Sequence, residues 1–148
     1  MSFDNNDGGS QFERVVQLHP SSRPQNNAPP IGDVRVPEPL RELPNWCLWR
    51  YVQSAGEAEP RKVPYYANGV CRSGTQGTPT DRGRLTTFVA ARDAAMRNGF
   101  DGVGFAHVSG ADIITLDFDD CVTDGVVRPD VLKLVGETYA EYSPSGTG

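Results

Sequence analysis

Soft-metal and thiol chemistry have little to work with in this chain. Histidine occurs only at His19 and His107, and the three cysteines, Cys47, Cys71 and Cys121, are widely spaced with no Cys-x-x-Cys pair. An odd set of thiols with so few imidazoles argues against a zinc centre or a disulfide framework, and the cysteines read as ordinary reduced thiols. Long apolar runs are missing as well. Nothing approaches the roughly 20 residues that span a bilayer, and the polar opening Met1-Ser-Phe-Asp-Asn-Asn-Asp has neither the basic start nor the apolar stretch of a secretion signal. The expectation is a cytoplasmic protein with no membrane partner. No internal repeat is visible.

Positive charge is also scarce overall. With 14 Lys and Arg against 19 Asp and Glu, the net charge of −5 argues at first against a nucleic-acid partner. The total conceals an asymmetry, however. Residues 50–97 hold eight basic and four acidic side chains, net +4, while residues 101–141 hold two basic and nine acidic, net −7. An acidic segment beside a basic one suits a site where divalent cations meet anionic phosphates, although two solvated faces would read the same way.

What is present fits one globular domain. A length of 148 residues, 37% hydrophobic, leaves room for a modest core, and 16 Gly with 12 Pro imply many turns. Residues 1–36, rich in Asn, Gly, Ser, Gln and Pro, have too few apolar side chains to offset ordering entropy and read as a disordered lead. The globular part is expected from 37 onward. A short helix at 39–43 ends before Pro44, and an aromatic, β-branched strand follows at 46–52. A second strand at 62–66 is limited to an edge by Pro64 and stops at Asn68-Gly69. Leu85, Phe88, Ala91 and Ala95, widened by Val89 and Met96, mark a helix that stops at Asn98-Gly99. Strands at 102–108 and 113–118, joined by 109–112, predict a hairpin. A last helix begins at Pro129, with Val131, Leu132, Val135 and Tyr139 on one face. This order indicates an α+β domain.

The predicted hairpin gives its carboxylates a geometry. In a strand at 113–118, Ile114, Leu116 and Phe118 share one face while Asp117 and Asp119 continue the other. Alternate strand residues lie about 6.6–6.8 Å apart, near enough for two carboxylates to share or flank hard cations. Mg²⁺ or Mn²⁺ would relieve their repulsion, with Asp120 adding to the field. A polar strand end with no metal is the plainer alternative. An EF-hand loop starting at Asp117 fails, because Val122 and Arg128 stand where Gly and Glu are needed. An aspartyl-phosphate phosphatase with Asp117 as nucleophile remains open, though Cys121 replaces the expected small hydroxyl residue. A sugar-nucleotide transferase using an Asp-x-Asp pair also remains open.

Other segments add weaker signals. Ser143, Ser145, Gly146 and Thr147 lie in a hydroxyl-rich, Gly-containing stretch that could form a phosphate nest or simply a flexible end. Lys62 and Arg61, with Arg82 and Arg84, are candidate phosphate or template contacts, each also readable as a surface charge. Trp46 and Trp49 should face opposite sides of their strand and are assigned to packing.

Taken in order, Leu43-Pro-Asn-Trp-Cys-Leu-Trp-Arg50, Lys62-Val-Pro-Tyr65, Asp101-Gly-Val-Gly-Phe105, Leu116-Asp-Phe-Asp-Asp-Cys121 and Tyr142-Ser-Pro-Ser-Gly-Thr-Gly148 resemble the bifunctional primase-polymerase domains of phage and plasmid replication proteins, in the archaeo-eukaryotic primase superfamily. The resemblance covers about residues 38–148. It implies an α/β module packed on an RNA-recognition-motif-like antiparallel sheet, and a DNA-directed nucleotidyltransferase. By motif match, Asp117 and Asp119 would bind Mg²⁺ or Mn²⁺ and be catalytic, with Lys62, Ser143, Ser145, Gly146 and Thr147 on the nucleotide. Expected partners are nucleoside triphosphates, a single-stranded DNA template and a helicase domain or protein. The family's next histidine and a later acidic residue have no counterpart before Gly148, so the expectation is an incomplete domain. A catalytically inactive nucleic-acid-binding or interaction fragment is the competing expectation.

Overall fold

The computed structural model describes residues 30–143 apart from Glu59, Ala111 and Glu137. Its frame is the aromatic run of β1 (Trp46–Val52), the middle strand of a three-stranded antiparallel sheet in the order β2-β1-β3. β2 (Arg61–Tyr65) pairs with one side of β1, Trp49 opposite Pro64, and β3 (Gly102–Phe105) pairs with the other, Trp49 opposite Gly102. Pro64 has no amide proton to donate, so it fits only a strand with a free side, and β2 is at the edge.

Strand alternation sends Trp46 and Leu48 to one face and Cys47 and Trp49 to the other, and all four are buried. On the first face lies α3 (Phe88–Asn98), whose Phe88, Ala91, Ala94 and Ala95 are buried. The Trp46 ring meets Phe88 and Phe105 edge-on, with centroids 4.9 and 5.2 Å apart. Burying a side chain such as Phe88 or Leu48 contributes about 1.5–3 kcal/mol, so this face is the main source of cohesion. On the second face Cys47 clusters with Tyr66, Leu85, Ala106 and Val108. There the Trp49 indole lies across Gly102, where an added Cβ would come within 2.5 Å of Nε1.

α3 starts where Thr87 Oγ1 accepts from the Ala90 amide at 3.4 Å. It ends at Gly99, left-handed at φ 63°, as Asn98-Gly99 predicts. Its apolar stripe is narrower than the spacing suggests. Val89 and Met96 are exposed, and Leu85 precedes the helix and packs on the opposite face.

Smaller elements complete the frame. A 3-10 turn (Ile31–Asp33) and α1 (Glu38–Glu42) bring Ile31, Val34, Val36 and Leu40 against the first core. Packed chain therefore begins before 37, because three apolar residues spaced within 31–36 reach the core despite the polar composition around them. α2 (Pro79–Arg82) is an element that hydrophobic periodicity does not reveal. Its signal is Thr78, whose Oγ1 accepts from the Asp81 amide at 3.2 Å, followed by Pro79 in the first turn.

The expected hairpin of 102–108 with 113–118 does not form. β3 spends its ladder on β1, and residues 112–118 join no ladder. The loop between them puts Gly110 at φ 84° and Asp112 at φ 34°. Instead of paired backbones, the two runs are linked through side chains, His107 Nδ1 to Thr115 Oγ1 at 3.2 Å. Ile114 and Leu116, the intended greasy face, are exposed at 90% and 61%. A hairpin does form just beyond. β4 (Val122–Thr123) pairs with β5 (Val126–Val127) around Asp124-Gly125, both at positive φ, the turn chemistry two-residue hairpins favour. α4 (Pro129–Val135) then buries Val131 but leaves Leu132 and Leu134 exposed. The architecture is thus a small α+β arrangement with two antiparallel sheets. Among the described residues no helix is long and apolar enough to cross a membrane.

Candidate functional site

The segment that carries the carboxylates is pinned at two points. Phe118 is half-buried and Cys121 buried, with the Cys121 carbonyl accepting from the Arg128 amide at 2.8 Å at the base of the β4–β5 hairpin. Between and beside these anchors, Asp117, Asp119 and Asp120 are exposed. Asp120 sits at φ 50°, a left-handed conformation Asp tolerates better than most residues, so the chain turns directly after Asp119. Asp117 and Asp119 are therefore presented from a turn approach and not at the fixed spacing of a strand.

Their electrostatics are simple. Among the described residues no ion pair joins either carboxylate to a cation, whereas Asp130 pairs with Arg128 at 2.7 Å and Asp81 with Arg72 at 2.8 Å. Two uncompensated hard oxygen donors in solvent are chemically suited to Mg²⁺ or Mn²⁺, which usually keep water and substrate oxygens among their ligands. Among the described residues no group of three or more His, Cys, Asp or Glu is gathered around a metal-sized space.

The basic candidates have separate surroundings. Lys62 Nζ lies 4.4 Å from the Trp49 ring centroid. Although the residue as a whole is exposed, desolvation against this face pushes its pKa down, opposed by the charge of Glu141. Arg61 pairs with Glu57 at 2.9 Å in solvent. Arg82 donates to the Gly77 carbonyl and to Ser109 Oγ, both at 2.8 Å, and so braces the loop after β3. Arg84 lies 5.5 Å from the Tyr66 ring. Ser143 is half-buried at the end of the described chain, and Ser145, Gly146 and Thr147 lie outside the described residues.

A buried polar centre escapes a reading by motif. Asp81 accepts from Arg72 Nε and Nη2, both at 2.8 Å, from Tyr66 Oη at 2.9 Å and from the Gly77 amide at 2.7 Å. The bidentate guanidinium, helped by the Gly77 amide and the Tyr66 hydroxyl, holds the Asp81 carboxyl well below the usual carboxylate range even though burial opposes this. All of its partners come from its own surroundings, so this centre locks α2 to the end of β2 and presents nothing to a ligand. The three thiols are free, with Cys47 and Cys121 buried and Cys71 exposed. Burial pushes the Cys47 thiol up, against the opposing pull of nearby Arg72. Comparison with protein-family models, with curated proteins and with solved structures finds no match to the chain.

Proposed function

We propose that the chain belongs to a metal-dependent nucleotidyltransferase, a DNA primase-polymerase acting in phage or plasmid replication, with Asp117 and Asp119 as its metal-holding pair. The observation that carries this reading is the exposure of both carboxylates, without a cationic partner among the described residues, on a segment anchored by Phe118 and Cys121. The order of the five motif segments supports it. On this reading the β2-β1-β3 sheet and α3 belong to the α/β module of a primase-polymerase fold, alongside part of a sheet like that of an RNA-recognition motif.

Two carboxylates suffice for a cation whose remaining ligands are water and substrate phosphate. Mg²⁺ or Mn²⁺, when bound, would neutralise phosphate oxygens and make an attacking 3′-hydroxyl more acidic. Asp117 and Asp119 supply the negative charge that draws the cation and fixes where a nucleoside triphosphate docks. Lys62, whose ammonium is partly desolvated, offers a point charge to phosphate, and Arg84 is a further contact for triphosphate or single-stranded template.

The test is primer synthesis and extension on single-stranded DNA with Mn²⁺ and nucleoside triphosphates, by a protein that joins this chain to the family's next histidine and later acidic residue. The expected result is product that disappears in Asp117→Ala and in Asp119→Ala. Product that is indifferent to the double substitution overturns the assignment. So does template binding with no product at any metal concentration, which is the behaviour of an inactive nucleic-acid-binding module.

A further inference from the structure

A second concentration of charge lies in a cleft of about 310 Å³ at the 3-10 turn, α1 and the start of α3, lined by Gly32, Asp33, Arg35, Arg41, Phe88 and Arg92 among others. The volume is at the lower end of the range for small-ligand pockets, roughly 300–1,000 Å³. Arg41 and Arg92 stand 5.5 and 6.0 Å from the centroid of Phe88, whose buried ring forms apolar flooring beneath both guanidiniums. Among the described residues Arg35 and Arg41 have no carboxylate partner. Arg92 pairs with its chain neighbour Asp93 at 3.2 Å, both half-buried, and Asp93 is its one carboxylate partner among the described residues. Three cations against the carboxylates of Asp33 and of Asp93, the partner of Arg92, leave a surplus of one. The first turn of α3 carries no acidic side chain, so the positive end of the helix dipole adds to the field.

Converging guanidiniums repel one another, and an anion with several acceptor oxygens relieves that repulsion through charge-assisted hydrogen bonds. We propose that this cleft binds a small phosphorylated molecule, its phosphoryl oxygens held by Arg41 and Arg92, with Arg35 completing the positive field. A nucleic-acid backbone is a poorer fit. Its phosphates are spread along a line and call for an extended basic surface, whereas this charge is gathered in one small recess. Neither Asp117 nor Asp119 lines this cleft, which is independent of the nucleotidyltransferase site.

Inorganic pyrophosphate, titrated calorimetrically in the presence of EDTA, is the probe. The expected result is saturable binding at one site, weakened about 10-fold or more by Arg41→Gln and by Arg92→Gln, and unchanged by the double Asp117→Asn/Asp119→Asn substitution. Gly32→Leu provides a variant that keeps every guanidinium, since a Cβ at Gly32 meets nothing within 4 Å. It should fold as the parent does and lose binding by filling the cleft. Absence of saturable binding overturns the proposal, as does affinity that Arg41→Gln and Gly32→Leu both leave intact. A single-stranded oligonucleotide that binds through Arg41 and is not displaced by pyrophosphate also overturns it, in favour of a polymer ligand.

Discussion

Asp81 and the Asp117–Asp119 pair bring the same functional group into opposite surroundings. Around Asp81 every oxygen is spoken for, by two guanidinium nitrogens, a phenol and a backbone amide, and solvent is shut out. Asp117 and Asp119 are exposed to solvent, and among the described residues no cation pairs with them. A carboxylate satisfied by its own fold holds structure together, and one left unsatisfied at the surface is available to something outside the fold. Charge type alone says neither, and the partners decide.

Substitutions should expose this difference. The largest effect belongs to Asp81→Ala, which strands the buried Arg72 charge and unpairs Tyr66 and Gly77. Loss of one partner of such a pair costs about 3–5 kcal/mol, to be read from denaturant unfolding. Replacing both residues, Arg72→Met with Asp81→Leu, should recover much of that loss, and no recovery would mean the pair is not the cause.

Acid offers a graded version of the same experiment. The folded Asp81 pKa lies below its unfolded value of about 3.9, so its contribution is fully present above that pH and is lost as pH falls toward the folded value. Unfolding midpoints followed downward from pH 5 should fall more steeply for the parent than for the Arg72→Met/Asp81→Leu protein. Parallel curves would contradict the assignment.

Gly102→Ala should cost about 1–3 kcal/mol, because the new methyl would meet the Trp49 indole and force the β1–β3 ladder apart. The smallest effect on stability is expected at the other pole of the comparison. Asp117→Asn with Asp119→Asn should leave the metal-free unfolding midpoint where it was, since among the described residues neither side chain holds any other. A large loss there would show that the two carboxylates have a structural partner after all.

Legibility in the sequence followed the range of the interactions concerned. β1, β2 and α3 depend on local signals: aromatic and β-branched content, Pro64 restricting an edge, Thr87 and Gly99 at the helix ends. Residues 113–118 have the same alternation as a strand, yet a strand exists only with a partner, and β3 is paired to β1 through contacts about 55 residues apart in the chain, as Trp46 opposite Phe105 and Trp49 opposite Gly102 show. The β4–β5 hairpin was announced by Asp124-Gly125 but has only two residues per strand, too few for an alternation pattern to register. At the candidate site, the residue types Asp117 and Asp119 were plain and their strand geometry was not. The pairing of Arg72 with Asp81, and the convergence of Arg35, Arg41 and Arg92 from separate elements, belong to tertiary structure, and no motif encodes them.

In the proposed site Asp117 and Asp119 together hold a divalent cation. Electron paramagnetic resonance of free Mn²⁺ tests it most directly, with protein titrated into a fixed concentration of the ion. The account predicts that the parent removes the free-ion signal saturably and that the Asp117→Asn/Asp119→Asn protein, equally folded, does not. Identical titration curves for the two proteins would contradict it.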